Sequence, residues 1–288
     1  MNNIALGKYI PGTSFIHKLD PRNKILIMIL LMVAIFWNVG SLLRFPLYIV
    51  LGIFIYILLR ISGISIKTIL KSLKPMMFMM IFLFIINLFV YQEGNKDAGI
   101  LLFSIPHINF SLYSGAILQT LFIIIRLALM LAVTTILTTT TKPLDMTYGL
   151  EWYMSPLKVI RFPAHEIAMT ISIALRFIPT ILEETERIIK AQKSRGVDLE
   201  EGKLKEKIGA IISLLIPLLI SSFQRSEELS DAMEARGYNP SAKRTRYRIL
   251  KFKLIDLLAV IISILLLTSI IIIGVFNSQI EMWFWGLF

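Results

Sequence analysis

The sequence contains no cysteine. Disulfides, thiolate metal sites and cysteine nucleophiles are therefore excluded. Charge is also sparse: 17% of the 288 residues are Asp, Glu, Lys or Arg, against about 25% in an ordinary soluble domain. No Gly-x-x-x-x-Gly-Lys-Ser/Thr loop occurs, so the chain has no phosphate cradle of its own and is not expected to hold ATP. The three histidines, His17, His107 and His165, fall in separate segments and form no close-spaced histidine–carboxylate metal motif. The chain does not open on a basic, then apolar, then small-residue cleavage pattern, so no removable signal peptide is expected.

Apolar sequence is what the chain has in abundance. It is 56% hydrophobic, with a mean hydropathy of +0.74, which places it among integral membrane proteins. Five stretches approach or reach the roughly 20 apolar residues that cross a ~30 Å hydrocarbon layer. They are 25–43, 45–61, 75–91, 115–138 and 254–276, the third being short and in need of its flanks. Basic residues are unevenly placed. Lys8, Lys18, Arg22 and Lys24 precede the first stretch, and Arg60, Lys67, Lys71 and Lys74 lie between the second and third. The 41–45 turn has only Arg44, the stretch 91–114 only Lys96, and the tail after Phe276 has none. Basic loops stay in the cytoplasm, so the N-terminus is expected inside and the C-terminus outside, with Trp283 and Trp285 as an outer interfacial anchor. The net charge of +11 is of this positive-inside kind rather than a nucleic-acid footprint. Lys243, Arg244, Arg246, Arg248, Lys251 and Lys253 read as a membrane-surface anchor before the last span, in contact with the lipid bilayer.

Three regions follow: 1–138 with four spans, a polar insert over 139–253, and 254–288 with the last span and an outer tail. The insert is too long for a simple connector. Two of its apolar runs, 167–175 and 208–223, are interrupted or flanked by proline and read as buried or interfacial helices. As a pair they can also enter the membrane without changing the topology.

The insert writes one phrase twice. Ile188-Ile189-Lys190-Ala191-Gln192-Lys193-Ser194-Arg195-Gly196 and Leu229-Ser230-Asp231-Ala232-Met233-Glu234-Ala235-Arg236-Gly237 both read aliphatic-x-x-Ala-x-x-small-Arg-Gly. Ile181, Ile188 and Arg195 are spaced by seven, as are Ser222, Leu229 and Arg236, so each set shares a face of a helix, drifting only ~20° per heptad. Glu183–Arg187 and Glu186–Lys190 are i,i+4 pairs in the favourable order. Glycine after each arginine is the expected helix stop. A lone arginine in a last turn is accounted for by the helix macrodipole. Two matched copies point instead to one job done twice by planar, permanently charged forks.

Other candidates carry less. Asp20 before Pro21 is an N-cap followed by proline at the first helical position, with Arg22 and Lys24 expected to hold that end at the interface. Arg126 is the one ionisable residue in mid-span, expected to face protein and bond to carbonyls or to polar groups such as Asn87. Glu183-Glu184-Thr185-Glu186-Arg187 approaches the Glu-Glu-x-x-x-Arg signature of intramembrane prenyl-protein proteases, but that spacing needs arginine at 188, where Ile188 stands.

The Ser-Arg-Gly and Ala-Arg-Gly pair, set in a cytoplasmic insert before the last span, resembles the transmembrane T component of energy-coupling factor transporters. The opening Gly7-Lys8-Tyr9-Ile10-Pro11-Gly12-Thr13-Ser14-Phe15-Ile16-His17-Lys18-Leu19-Asp20-Pro21-Arg22-Asn23-Lys24 resembles the start of that family, and the similarity covers essentially the whole chain. The resemblance implies an all-α integral membrane protein of about five spans with a helical coupling region, itself without catalytic residues or cofactor. It further implies two ABC-type ATPase subunits as partners, which bind the ATP, and a membrane S component that captures a vitamin or a transition-metal ion. Ser194, Arg195 and Gly196 would dock on one ATPase and Ala235, Arg236 and Gly237 on the other. The alternatives are a stand-alone secondary transporter, disfavoured because the interiors of the five spans hold no Asp or Glu, Asp256 lying at an edge, and a membrane scaffold.

Overall fold

The computed structural model describes residues 9–37, 41–90, 101–105, 110–160, 162–197, 204–239 and 252–285. Gly7, Lys8, Lys96, His107, Lys243, Arg244, Arg246, Arg248 and Lys251, and the side chains of Trp283 and Trp285, lie outside the described residues. The described residues form two compact units, one within Lys8–Lys142 and Lys251–Phe288, the other within Pro143–Leu250.

The first unit begins with a single helical turn, α1 (Phe15–Lys18), and then α2 (Pro21–Phe36). Asp20 caps α2 as its sequence predicts: its Oδ1 accepts from the Arg22 N–H at 2.9 Å, with Pro21 at the first helical position. The helix starts earlier and stops sooner than the apolar stretch suggests, giving 16 residues, about 24 Å. Helices α3 (Ser41–Ser62), α4 (Ile66–Leu73) and α5 (Met77–Val90) follow. The short third stretch is lengthened by α4 and a 3-10 turn over Lys74–Met76, making an apolar helical run from Ile66 to Val90. Two antiparallel strands, β1 (Leu101–Ile105) and β2 (Phe110–Tyr113), are the one strand pairing among the described residues, with Ser104 opposite Ser111 and Ile105 opposite Phe110. Then come α6 (Ser114–Thr140) and, after the second unit, α10 (Leu254–Trp285).

The core of this unit is an apolar seam where α2, α3, α6 and α10 meet, with Leu31, Ile35, Leu51, Ile55, Val133 and Ile270 buried in it. Threonines in the second half of α6 are satisfied within the helix. Thr134, Thr138, Thr139 and Thr140 each donate to a carbonyl one turn back, at 2.6–3.0 Å. Without water in a hydrocarbon layer, such back-bonding is how a hydroxyl is accommodated.

The second unit contains α7 (Pro143–Met154), a 3-10 segment (Ser155–Ile160), α8 (Ala164–Ser194) and α9 (Leu204–Ala235). The last two carry the apolar runs 167–175 and 208–223. Pro179 and Pro217 do not break them: the helix continues through both, each proline forfeiting one backbone bond. Hence α8 and α9 are long and apolar enough to cross a membrane, and six such helical runs exist among the described residues.

Candidate docking site at two matched helix ends

Both copies of the repeated phrase end a helix, and they end it the same way. In α8 the Val197 N–H donates to the Gln192 carbonyl at 3.0 Å and the Gly196 N–H to the Lys193 carbonyl at 3.0 Å. In α9 the Tyr238 N–H donates to Met233 at 2.9 Å and the Gly237 N–H to Glu234 at 2.8 Å. These are paired six-to-one and five-to-two bonds, the Schellman arrangement, with glycine in the left-handed conformation just past the cap. Gly196 has φ +85° and Gly237 φ +71°. The motif thus fixes its arginine as the capping residue: Arg195, at φ −87° and ψ 5°, is the C-cap of α8, and Arg236 holds the same place in α9.

All six motif residues, Ser194, Arg195, Gly196, Ala235, Arg236 and Gly237, are exposed. Ser194 returns its hydroxyl to the Lys190 carbonyl at 3.0 Å. Among the described residues neither Arg195 nor Arg236 is given an acceptor. Each is an exposed arginine at a helix end closed by its own capping bonds. The i,i+4 pairs 183–187 and 186–190 do not close among the described residues; exposed pairs are worth only ~0.3–0.5 kcal/mol on a helix, too little to order both side chains. Glu184, which the spacing rule passes over, is the carboxylate with partners. It accepts from Ser221 Oγ at 2.7 Å and pairs with Arg225, tying α8 to α9. A second tie in this unit joins α7 to α8, through buried Glu151 and His165 Nδ1 at 3.1 Å.

Arg126 belongs to the other unit. Its Nε and Nη2 donate to the Tyr48 hydroxyl at 3.0 and 2.8 Å, its guanidinium lies over the Phe36 ring at 5.5 Å, and Tyr48 in turn donates to the Ile35 carbonyl at 3.3 Å. The expected partner Asn87 is engaged elsewhere, donating to Thr120 Oγ1 at 3.0 Å. Lys24 is no interfacial anchor. It is buried, and its ammonium donates to the Thr140 carbonyl at 2.9 Å and to Thr141 Oγ1 at 3.3 Å. One participant in that buried cluster was unforeseen: Asp256, 1% exposed, whose Oδ1 accepts from the Asp20 N–H at 2.7 Å and Oδ2 from the Lys253 N–H at 2.9 Å. Standing three residues after Lys253 at the head of α10, it reaches back to that residue's N–H as the third helical residue of a capping box does, although Lys253 is not the Ser or Thr that would announce one.

The family model described as "CbiQ: Cobalt transport protein" matches residues 12–247, a range that contains both helix ends. Relatives named energy-coupling factor transporter transmembrane protein EcfT match over nearly all of their length. The one from Bacillus subtilis is 40% identical over 271 residues, covering 94% of this chain and 98% of its own. That from Streptococcus thermophilus is 39% identical over 261 residues (91% and 95%), and one from Listeria monocytogenes is 36% identical over 278 residues (95% and 98%). The chain belongs to the CbiQ/EcfT family of energy-coupling factor transporter transmembrane proteins. As an EcfT-family member it is a multi-pass membrane protein and the transmembrane component of such a transporter. The apolar helical runs of both units accord with that.

Proposed function

We propose that this EcfT-family chain is the coupling subunit of an ATP-driven importer, passing the motion of two ABC-type ATPases to a substrate-binding S component that takes up a vitamin or a transition-metal ion. The observation that carries the reading is the pair of identically capped helix ends, each presenting one exposed arginine without an acceptor among the described residues. A helix end that has already satisfied its own carbonyls through the Schellman bonds leaves its guanidinium available to a partner's carbonyls or carboxylates. In this reading Ser194, Arg195 and Gly196 dock on one ATPase, and Ala235, Arg236 and Gly237 on the other. The chain itself is not catalytic, ATP being bound and hydrolysed by the partners, and needs no cofactor of its own. Both arginines lie on the cytoplasmic side, with the N-terminus inside and the C-terminus outside.

The test is capture of the ATPases. Tagged chain, co-expressed with its ATPases and an S component, is purified in its native form and as Arg195→Glu, Arg236→Glu and the double variant. Each single variant should lose most of the bound ATPase, and the double variant all of it, while the S component stays bound. Undiminished ATPase on the double variant would overturn the docking assignment.

A further inference from the structure

We propose that Glu184 and Arg225 form the pivot at which α8 and α9 cross, and that this pivot sets the positions of the two arginine ends. The functional consequence rests on the docking reading above; the geometry does not.

The argument starts from the repeat. Ile188 and Leu229, Ala191 and Ala232, Arg195 and Arg236, and Gly196 and Gly237 are each 41 residues apart. The same offset, carried back toward the N-terminus of each helix, pairs Glu184 with Arg225. These are the two side chains the structure joins. The ion pair therefore falls between equivalent positions of the two copies. A contact between equivalent positions lies on the axis of a twofold-like relation, where each partner meets its own counterpart.

The direction of the helices follows from their contacts. Glu184 meets Ser221 and Arg225, while Gln192, further along α8, donates to the Ser213 carbonyl at 3.4 Å, further back along α9. The helices run antiparallel. Each arginine thus stands the same distance past the pivot, about 16 Å for eleven residues at 1.5 Å each, in opposite directions. Eleven residues also make nearly three whole turns, so pivot residue and arginine share a face on each helix.

The chemistry suits a pivot. Apolar contact is non-directional and tolerates sliding. Here one carboxylate uses both oxygens, Oε1 for the Ser221 hydroxyl and Oε2 for the Arg225 guanidinium, and such directed, charge-assisted bonds hold an axial register. A half-turn slip would move both arginines outward from the pivot or both inward, spoiling two dockings at once. Glu184 and Arg225 are positioning residues acting through Arg195 and Arg236.

The absence of native cysteine makes the test direct. Spin labels at Lys190→Cys and Asp231→Cys, each five residues before its arginine, report the separation of the two ends by pulsed EPR in the full chain in lipid nanodiscs. The parent should give one narrow distance distribution. Glu184→Gln and Arg225→Gln should each broaden or shift it, and the exchange Glu184→Arg with Arg225→Glu should restore it. In the assembled transporter, Glu184→Gln should keep both ATPases bound yet lower the substrate imported per ATP hydrolysed several-fold, with recovery in the exchanged pair. An unchanged distribution in both Gln variants, or a broadening that the exchange does not reverse, would overturn the pivot. The EPR result requires no ATPase, so a failure of the docking reading leaves its own signature: ATPases still captured by the Arg195/Arg236 double variant.

Discussion

Two glycines show how much a single residue decides. A Cβ placed on Gly196 or Gly237 meets nothing within 4 Å, so no crowding forbids alanine at either position. The backbone does: φ of +85° and +71° is a region where an L side chain costs roughly 1–2 kcal/mol. Gly196→Ala and Gly237→Ala should therefore fray the last turn of α8 or α9, leaving the rest of the helix intact. Hydrogen exchange should show faster exchange of the Gly196 and Val197 amides, or of Gly237 and Tyr238, and ATPase capture should weaken without being abolished. Protection equal to the parent would mean that the Schellman bonds do not order the arginine. The two helix ends were legible in the sequence because their determinants are local: an arginine, then the one residue type that readily turns left-handed, in two copies. Arg126 was legible only as an anomaly. Its partner, Tyr48, is 78 residues away on another helix, and spacing along one helix carries no information about which hydroxyl a neighbouring helix will offer.

At the scale of elements, the opening segment explains itself as a clasp. The Ile10 N–H donates to the Thr139 carbonyl at 2.9 Å, and the His17 ring bonds to Ser14 Oγ at 2.6 Å and the Ile10 carbonyl at 3.1 Å. Gly12 lies so close that a Cβ there would meet the ring at 2.7 Å. Lys24 and Asp256 complete the closure, tying the start of α2 to the end of α6 and the head of α10. Asp20–Pro21 was readable because a cap is a contact between near neighbours. The Asp20–Asp256 bond was not, since it spans 236 residues and Asp256 stood at the edge of an apolar run, where it read as a boundary. Asp256 occupies two backbone donors, one at the head of each of two helices. Asp256→Ala should strand both N–H groups and destabilise the unit by about 2–4 kcal/mol, measured as a lowered midpoint of thermal unfolding in detergent. Asp256→Asn, which keeps one acceptor, should fall between. A midpoint unchanged in the alanine variant would show that the clasp contributes nothing to folding.

At the scale of the whole molecule, two distributions have to agree: that of charge along the chain and that of apolar surface on the helices. Lysine and arginine crowd the stretch up to the first turn of α2 and that between α3 and α5, and are absent after Phe276, the charge pattern on which the proposed orientation rests. Helix α9 exposes Ile208, Ile211, Ile212, Leu215, Ile216, Leu219, Ile220 and Phe223. Such a stripe is larger than a water-facing surface carries without a covering, whereas beyond Phe223 the helix turns polar toward Arg236. Cysteine-free background again allows the test, by single cysteines in intact cells and inverted vesicles treated with a membrane-impermeant maleimide. A cysteine replacing Asn3 should react only in inverted vesicles, and one replacing Phe288 only in intact cells. A cysteine replacing Leu215 should stay unreactive in both, while one replacing Gln224, exposed just past the last residue of the stripe, should react from the cytoplasmic face. If Leu215 labels as fast as Gln224, the stripe faces water and its apolar residues need another cause. If Asn3 labels in intact cells, the orientation is reversed, and both arginine ends would stand on the side where no ATP is hydrolysed.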